Sequence, residues 1–96
     1  MEITITRHGG EMAGEYHAHV TGSDHIGRLT WVKQGNARVA EHTLVPRAIG
    51  GRGVAARLVE ALVDDARKLG FKVVPECSYV AEAFKRHPDW AGLIQG

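Results

Sequence analysis

A glycine-rich segment joins an apolar strand to a long amphipathic helix, and its residue types suit the binding of an anion. Gly50, Gly51 and Gly53 stand here among the arginines Arg47 and Arg52. Glycines let a ligand approach the backbone, arginines supply positive charge, and a helix start offers N–H groups without intrahelical partners. The helix macrodipole adds partial positive charge at the same point. The segment therefore predicts a phosphate site; the alternative is a loop that needs its glycines only for positive φ angles.

Two further side chains have the chemistry that proton or group transfer requires. Cys77 precedes a predicted helix start, which lowers the pKa of a thiol from about 8.5 and makes it a base or a nucleophile. His42 lies on the strand that leads to the glycine segment, and an imidazole exchanges protons near neutral pH. Each has an ordinary alternative, which is a packed cysteine or a histidine hydrogen-bonded within the sheet.

The first half of the chain predicts the strands that position these residues. Apolar and polar residues alternate in four runs separated by short polar or glycine-containing turns, at residues 3–6, 15–20, 26–32 and 38–45. Parallel neighbours would need crossovers of a dozen residues or more, so the short turns favour an antiparallel meander.

The second half changes to a helical period. Apolar residues recur at helical spacing across residues 54–69, and Gly70 stands where a C-terminal cap belongs. A short buried strand is predicted at residues 71–75. A helix of this length permits the crossover that places this strand parallel to the fourth one.

A second, shorter helix is predicted near the end of the chain. Ser78 is expected to cap it, Pro88 to end it, and one more short turn to form around Trp90. The predicted class is therefore α+β, with a mixed, mostly antiparallel sheet of about five strands, a central amphipathic helix and a second short helix.

Length and composition limit the classes of protein to consider. The chain has 96 residues, which we expect to form a single domain, residues 1–96. A net charge of +1 gives no overall bias towards nucleic acid or membranes. The single cysteine excludes an internal disulfide and fits a reducing compartment. Without a long apolar run or a signal-peptide pattern, the expected location is the cytoplasm.

Four short motifs together resemble the GNAT superfamily of acyl-CoA N-acyltransferases, in particular its short single-domain members of about this length. They occur in the expected order from about residue 38 to residue 90: His42-Thr43-x-Val45-Pro46, Gly51-x-Gly53-x-Ala55, Pro75-x-Cys77-Ser78-Tyr79-Val80 and Arg86-His87-Pro88-x-Trp90. Each motif alone has low specificity, whereas the ensemble is specific. The resemblance implies a GNAT-like fold and acetyl transfer from acetyl-CoA to an amine.

The resemblance also implies roles for individual residues. In the superfamily, a Q/R-x-x-G-x-G/A signature binds the pyrophosphate of coenzyme A, and a strand edge pairs with its pantetheine arm. Here this implies pyrophosphate binding by the segment 51–55 and pantetheine pairing by the backbone of 44–45. Tyr79 would protonate the departing thiolate. The implied cofactor-binding residues are Leu44, Val45, Arg47, Gly50, Gly51, Arg52, Gly53, Val54, Ala55 and Ser78; the catalytic ones are Cys77, His42 and Tyr79.

The glycine segment departs from the signature in one respect, which leaves two registers open. If Gly51 is the first glycine, Ala48 stands where Gln or Arg is expected and Arg47 lies one place too early. If Gly50 is the first glycine, Arg47 is in position but Arg52 replaces the second glycine.

Other functions remain as alternatives. Gly51-x-Gly53-x-x-Ala56 fits a dinucleotide-binding fingerprint, with Glu76 near the position of a ribose contact. A second alternative keeps the fold as a non-catalytic coenzyme A-binding or interaction module. His17 and His19 share one strand face, but without a third ligand a solvated face is preferred, so we expect no metal.

The partners expected from sequence are few. The acceptor is a small-molecule or protein amine that the sequence does not identify, and no nucleic acid or membrane partner is expected. The chain is predicted to be a monomer or a weak homodimer, in which a second copy could complete the acceptor pocket.

Overall fold

The computed structural model describes residues 2–95, and its first half is an antiparallel meander. The four strands are β1 (Ile3–Gly9), β2 (Ala13–Val20), β3 (Ile26–Gln34) and β4 (Ala37–Leu44). Each strand pairs antiparallel with the next one along the chain. The predicted meander is therefore confirmed, with strand ends that differ from the predicted ones by a few residues.

The second half adds two helices and a fifth strand: α1 (Val54–Leu69), β5 (Lys72–Pro75) and α2 (Ser78–Arg86). Helix α1 has the predicted bounds. Gly70 adopts a left-handed conformation with φ 80° and donates its N–H to the carbonyl of Ala66 at 2.9 Å. Strand β5 pairs parallel with β4, and the strand order is β1-β2-β3-β4-β5. The α+β class with a five-stranded mixed sheet and two helices is confirmed.

Both helices pack on the same face of the sheet, which we call the inner face. Tyr16, Ala18 and Leu29 point from this face into a core that includes Leu58 and Val80 of the helices. The residues between them in the strands point to the opposite side, which we call the outer face. The two faces therefore carry different chemistry, although they belong to the same strands.

Gly27 sets how closely α1 approaches the sheet. A Cβ atom at Gly27 would lie 2.8 Å from Cγ1 of Val54 and 3.5 Å from Cδ1 of Leu58. Because Val54 is the first residue of α1, this close approach fixes the start of the helix against β3. The position of the glycine segment thus depends on a residue of another strand.

A buried polar network anchors the other half of α1. Asp65 is 8% exposed, accepts hydrogen bonds at 2.8 and 2.9 Å from the guanidinium of Arg7, and accepts one at 2.8 Å from the hydroxyl of Tyr16. Arg38 donates a hydrogen bond at 2.9 Å to that hydroxyl and stacks over the ring of Trp31. The network connects α1 with β1, β2 and β4.

The pKa values of this network show that the carboxylate is held in its charged form. Burial raises the pKa of Asp65, but hydrogen bonds from Arg7 and Tyr16 outweigh burial and bring the pKa below its usual range. Burial and the contact with Asp65 raise the pKa of Tyr16, so its hydroxyl keeps its proton. Asp65 was not predicted to be buried, although it occupies a helical position three residues after Leu62 on the buried stripe.

Two predictions about the chain after α1 need correction or addition. The N-cap of α2 is Cys77, and Ser78 is the first helical residue rather than the cap. The predicted last turn is a 3₁₀ turn, Pro88–Leu93, around buried Trp90. After it, Ile94 forms an isolated bridge with Val73, which was not predicted. Neither helix within residues 2–95 has the length and hydropathy needed to span a membrane.

Candidate active site

The glycine segment forms an open turn in front of α1. Gly51 and Gly53 adopt left-handed conformations, with φ of 71° and 77°, which favour glycine. Within the described residues, no heavy atom outside their chain neighbours lies within 4 Å of a Cβ built on either glycine. Gly50 has a φ of −71°, which any residue can adopt. The glycines that the turn requires are therefore Gly51 and Gly53.

The start of α1 is left without the usual side-chain cap. Gly53 is the N-cap, and the described part of the chain provides no capping side chain and no acidic residue in the first turn. The backbone N–H groups of Val54 and Ala55 belong to the first turn, which has no intrahelical acceptors for them. This helix start is therefore available to an anion from outside the fold.

The two arginines lie beside this turn. Arg47 begins a 3₁₀ turn, Arg47–Ile49, that connects β4 to the glycines, and its carbonyl accepts the N–H of Gly50 at 3.1 Å. Both Arg47 and Arg52 are exposed. The buried side chain of Ile49 anchors the connection in the core. The burial of Ile49 in the core thus holds the turn in place, while the side chains of Arg47 and Arg52 are exposed.

Strands β4 and β5 separate next to this turn. Their parallel pairing ends at Ala40 and Pro75, whereas β4 continues to Leu44. At the point of separation the N–H of Cys77 donates a hydrogen bond at 2.9 Å to the carbonyl of Ala40. The backbone of β4 beyond Ala40 therefore has no partner in β5, which leaves a strand edge next to the glycine turn.

Leu44 and Val45 line an open groove at this strand end. The groove has a volume of about 700 Å³ and is bordered by Asp24, His25, Ile26, Arg28, Thr43, Leu44, Val45 and Pro46. Leu44 is 58% exposed and contributes an apolar side chain to the lining of this groove.

Cys77 lies at the start of α2 with its thiol against β4. Its Sγ atom is 3.4 Å from the Oγ1 atom of Thr43, within hydrogen-bonding distance. Burial raises the pKa of the thiol, but hydrogen bonds from Thr43 and from the N–H groups of Val80 and Tyr79 outweigh burial and lower the pKa below its ordinary value. The half-buried thiol is therefore disposed to ionise.

His42 and Cys77 lie on different sides of β4. Thr43, which contacts Cys77, pairs with buried Leu29 of the inner face, whereas His42 pairs with Thr30 on the outer face. His42 and Leu44 share the outer face, as predicted from alternation. The structure therefore does not bring the imidazole of His42 to the thiol of Cys77.

Tyr79 and Ser78 belong to the first turn of α2. Tyr79 is half-buried against the core and borders a cavity of about 140 Å³ between the two helices, opposite Val59 and next to Trp90. Ser78 is exposed at the helix start. His87 ends α2. Its N–H donates a hydrogen bond to the carbonyl of Phe84, and its Nδ1 atom lies 2.9 Å from the carbonyl oxygen of Ala83.

Sequence analysis did not identify Thr43 or Gly27 as parts of this site. Thr43 was noted only within a motif, although its place in the strand alternation puts it on the same face as the buried residues. For Gly27 the sequence carries no comparable signal, because the contact with Val54 depends on the fold.

The fold also disfavours the dinucleotide alternative. The four strands β1 to β4 are antiparallel, and one pair, β4 with β5, is parallel within residues 2–95. A doubly wound fold requires a mostly parallel sheet with helices on both faces.

A comparison with models of protein families agrees with this geometry. The model of the GCN5-related N-acetyl-transferase family matches residues 15–93, from β2 to the last 3₁₀ turn. The matched part contains the glycine turn, the separation of β4 from β5, and Cys77. The chain belongs to the GCN5-related N-acetyltransferase family.

Proposed function

We propose that this protein transfers an acetyl group from acetyl-CoA to a primary amine. The observation that carries the proposal is an uncapped, glycine-lined helix start beside a strand end at which Cys77 contacts Thr43. A pyrophosphate is the anion that the helix start would accept, and the exposed edge of β4 suits the amide-bearing arm of coenzyme A.

The residues of the turn fit this ligand. Gly51 and Gly53 leave open space for phosphate oxygens, and the N–H groups of residues 51–55 would donate to them. With Gly51 as the first glycine, Arg47 stands one place before the Gln or Arg position of the superfamily signature. The side chains of Arg47 and Arg52 would then add positive charge beside the phosphates. Leu44 and Val45 would face the pantetheine arm, and Ser78, which is exposed at the start of α2, would offer its hydroxyl to the cofactor.

The side chains around the strand end supply the remaining chemistry. Acetyl-CoA, when bound, supplies an acetyl group activated as a thioester. A lysine-like amine has a pKa of about 10.4, so it must lose a proton before it can attack. An ionised Cys77 can accept that proton or accept the acetyl group itself. The phenol of Tyr79 would provide a proton to the leaving sulfur. His42, on the outer face, would exchange protons with the acceptor or solvent.

The proposal extends to the partners of the protein. The proposed acceptor is a small-molecule or protein amine, and the solvent-open groove at the end of β4 leaves room for one. We further propose that the protein acts in the cytoplasm, as a monomer or a weak homodimer, without nucleic acid or membrane partners. Its single half-buried cysteine suits a reducing compartment.

Titration of the purified chain with coenzyme A and with NAD tests the binding part of the proposal. We expect saturable binding of coenzyme A at one equivalent and much weaker binding of NAD. Tight NAD binding without coenzyme A binding would contradict the proposal and restore the dinucleotide alternative.

Transfer assays test the catalytic part. The wild type, Cys77→Ala and His42→Ala would be offered acetyl-CoA and a panel of amines, peptides and proteins. We expect Cys77→Ala to abolish most transfer with coenzyme A affinity largely kept, and His42→Ala to have a smaller effect because it lies across β4. Mass spectrometry of the protein with acetyl-CoA alone separates the two roles of Cys77, since only a nucleophile gains an acetyl group.

A negative result in these assays would also be informative. If coenzyme A binds but the panel contains no acceptor and neither substitution changes any measured rate, the non-catalytic module becomes the better account. The matched control is His8→Ala, an exposed histidine on β1 that does not border the groove. We expect this variant to keep both binding and transfer.

A further inference from the structure

The outer face carries a cluster of three histidines at the edge of the sheet, which we call the histidine cluster: His8, His17 and His19. His8 lies on β1, and the other two lie on β2. The register pairs Thr6 with His17 and Thr4 with His19, so the even positions of β1 share a face with the odd positions of β2. His8 is the third ligand that was not predicted from the sequence, and the pairing of β1 with β2 brings it to the other two histidines.

The ring nitrogens of the cluster converge. One nitrogen from each ring lies within 4.8 Å of one from each of the others. The Oγ1 atom of Thr6 lies 2.7 Å from Nε2 of His8 and 2.8 Å from Nε2 of His19, so these two nitrogens face the same hydroxyl, which a metal ion bound between them would displace. The ring of His17 stacks on that of His8 with centroids 4.0 Å apart.

A carboxylate orients one of the three rings. The Oε1 atom of Glu15 lies 2.8 Å from Nε2 of His17, which leaves Nδ1 of that ring available as a ligand. Metal-binding histidines commonly use their second nitrogen in this way. Arg28 pairs with His17 in the register and places a positive charge on the same face, which Glu15 partly balances.

We propose that the histidine cluster is a binding site for a transition metal of the zinc class. Imidazole nitrogen suits Zn²⁺, and three such ligands leave a fourth position open for water or another ligand. Tetrahedral Zn²⁺ with Zn–N bonds of about 2.0 Å needs nitrogens about 3.3 Å apart. The ring of His17 would leave its stack with that of His8, and rotation of the three side chains would bring their nitrogens from the present spacing to that distance.

The site would join the edge strand to its neighbour. Strand β1 pairs with β2 alone in the sheet, and the metal would add a second connection through His8. The family match begins at residue 15, so β1 and His8 lie outside it. None of the three histidines has a role in the proposed acetyl transfer, so failure of this proposal would leave the proposed function unchanged.

Calorimetric titration of the tag-free chain with ZnCl₂ tests the site. We expect one equivalent of Zn²⁺ to bind and to raise the thermal unfolding midpoint. His8→Ala removes an exposed ligand from the edge strand, and we expect it to weaken zinc binding at least about tenfold and to remove the thermal shift. Glu15→Gln should weaken zinc binding by a smaller factor.

Two controls make the test specific. His25→Ala changes a histidine outside the cluster and should bind zinc like the wild type. MgCl₂ in place of ZnCl₂ should produce no binding, because Mg²⁺ prefers oxygen ligands. Zinc binding that is absent at one equivalent, or that His8→Ala leaves unchanged, would overturn the proposal.

Discussion

The two halves of helix α1 differ in whether their polar groups have hydrogen-bond partners within the fold. In its second half, Asp65 is buried and bonded to Arg7 and Tyr16, and Gly70 caps the last turn. At its start, the described chain offers no capping side chain, and the glycine turn is open. The polar groups of the second half have partners within the fold, whereas the N–H groups of the first turn have no capping side chain within residues 2–95.

The difference teaches how a small fold can hold an open helix end in place. An uncapped first turn lowers the free energy of unfolding by about 1 kcal/mol relative to a good N-cap. The network at Asp65 fixes the second half of α1, and the close contact of Gly27 with the side chain of Val54 fixes its start. The position of the candidate anion site is thus determined by side-chain contacts that do not use the N–H groups of the first turn.

The largest expected effect is that of Asp65→Ala. The substitution leaves the guanidinium of Arg7 and the buried hydroxyl of Tyr16 without their carboxylate, and we expect a loss of about 3 kcal/mol in the free energy of unfolding. Urea denaturation measures it. The exposed neighbour provides the control, because Asp64→Ala should change stability by less than about 0.5 kcal/mol. Equal effects of the two variants would contradict the anchoring role of the network.

Gly27→Ala should have the next largest effect on stability, and it should also change the position of the helix start. The added methyl group meets Val54 at 2.8 Å, so we expect a loss of about 1–3 kcal/mol and a displaced helix start. Coenzyme A affinity should therefore fall together with stability. Gly10→Ala is the control, since no atom of the described chain lies within 4 Å of a Cβ at Gly10. Lowered stability with unchanged affinity would show that Gly27 does not position the turn.

The contribution of Asp65 to stability should depend on pH, and comparison with Asp65→Asn isolates it from that of the other carboxylates. Because its pKa is lowered in the folded state, its ionised carboxylate stabilises the fold above the unfolded pKa of about 3.9. That contribution is lost as the pH falls through the folded pKa. The difference in unfolding free energy between wild type and Asp65→Asn should therefore shrink between neutral pH and about pH 3. A difference that stays constant over this range would refute the assignment.

The smallest effect is expected at the thiol. Thr43→Val removes a hydrogen bond that favours the thiolate, so the pKa of Cys77 should rise. The rate of alkylation by iodoacetamide, followed against pH, measures this pKa. Thr4→Val makes the same change on an exposed strand position and should leave the profile unaltered. An unchanged profile for Thr43→Val would mean that the contact does not influence ionisation.

The sequence predicted the elements that depend on local patterns. The helical period over residues 54–69 and the cap at Gly70 determine α1, and turn spacing determines the meander. Helix α2 was also found, but its cap was misplaced by one residue because a serine is the more usual N-cap. These features need no knowledge of distant contacts.

The features that were missed all depend on strand register or on contacts between distant segments. Arg7 reaches Asp65 from 58 positions away, and no local pattern marks that pair. The contact of Cys77 with Thr43 and the approach of Val54 to Gly27 likewise arise only when the sheet is assembled. His8 could have been found by extending the alternation of β1 beyond Thr6.

The central claim is that the start of α1 binds the pyrophosphate of coenzyme A through backbone donors. Ala55 lies in this first turn, where an aspartate is favourable to the helix but would repel a phosphate. Calorimetric titration of Ala55→Asp and Ala55→Asn with coenzyme A tests the claim most directly, because the two side chains differ mainly in charge. We predict that Ala55→Asp stays folded and loses affinity at least about tenfold relative to Ala55→Asn, which is about 1.4 kcal/mol. Equal affinity of the two variants would contradict the account.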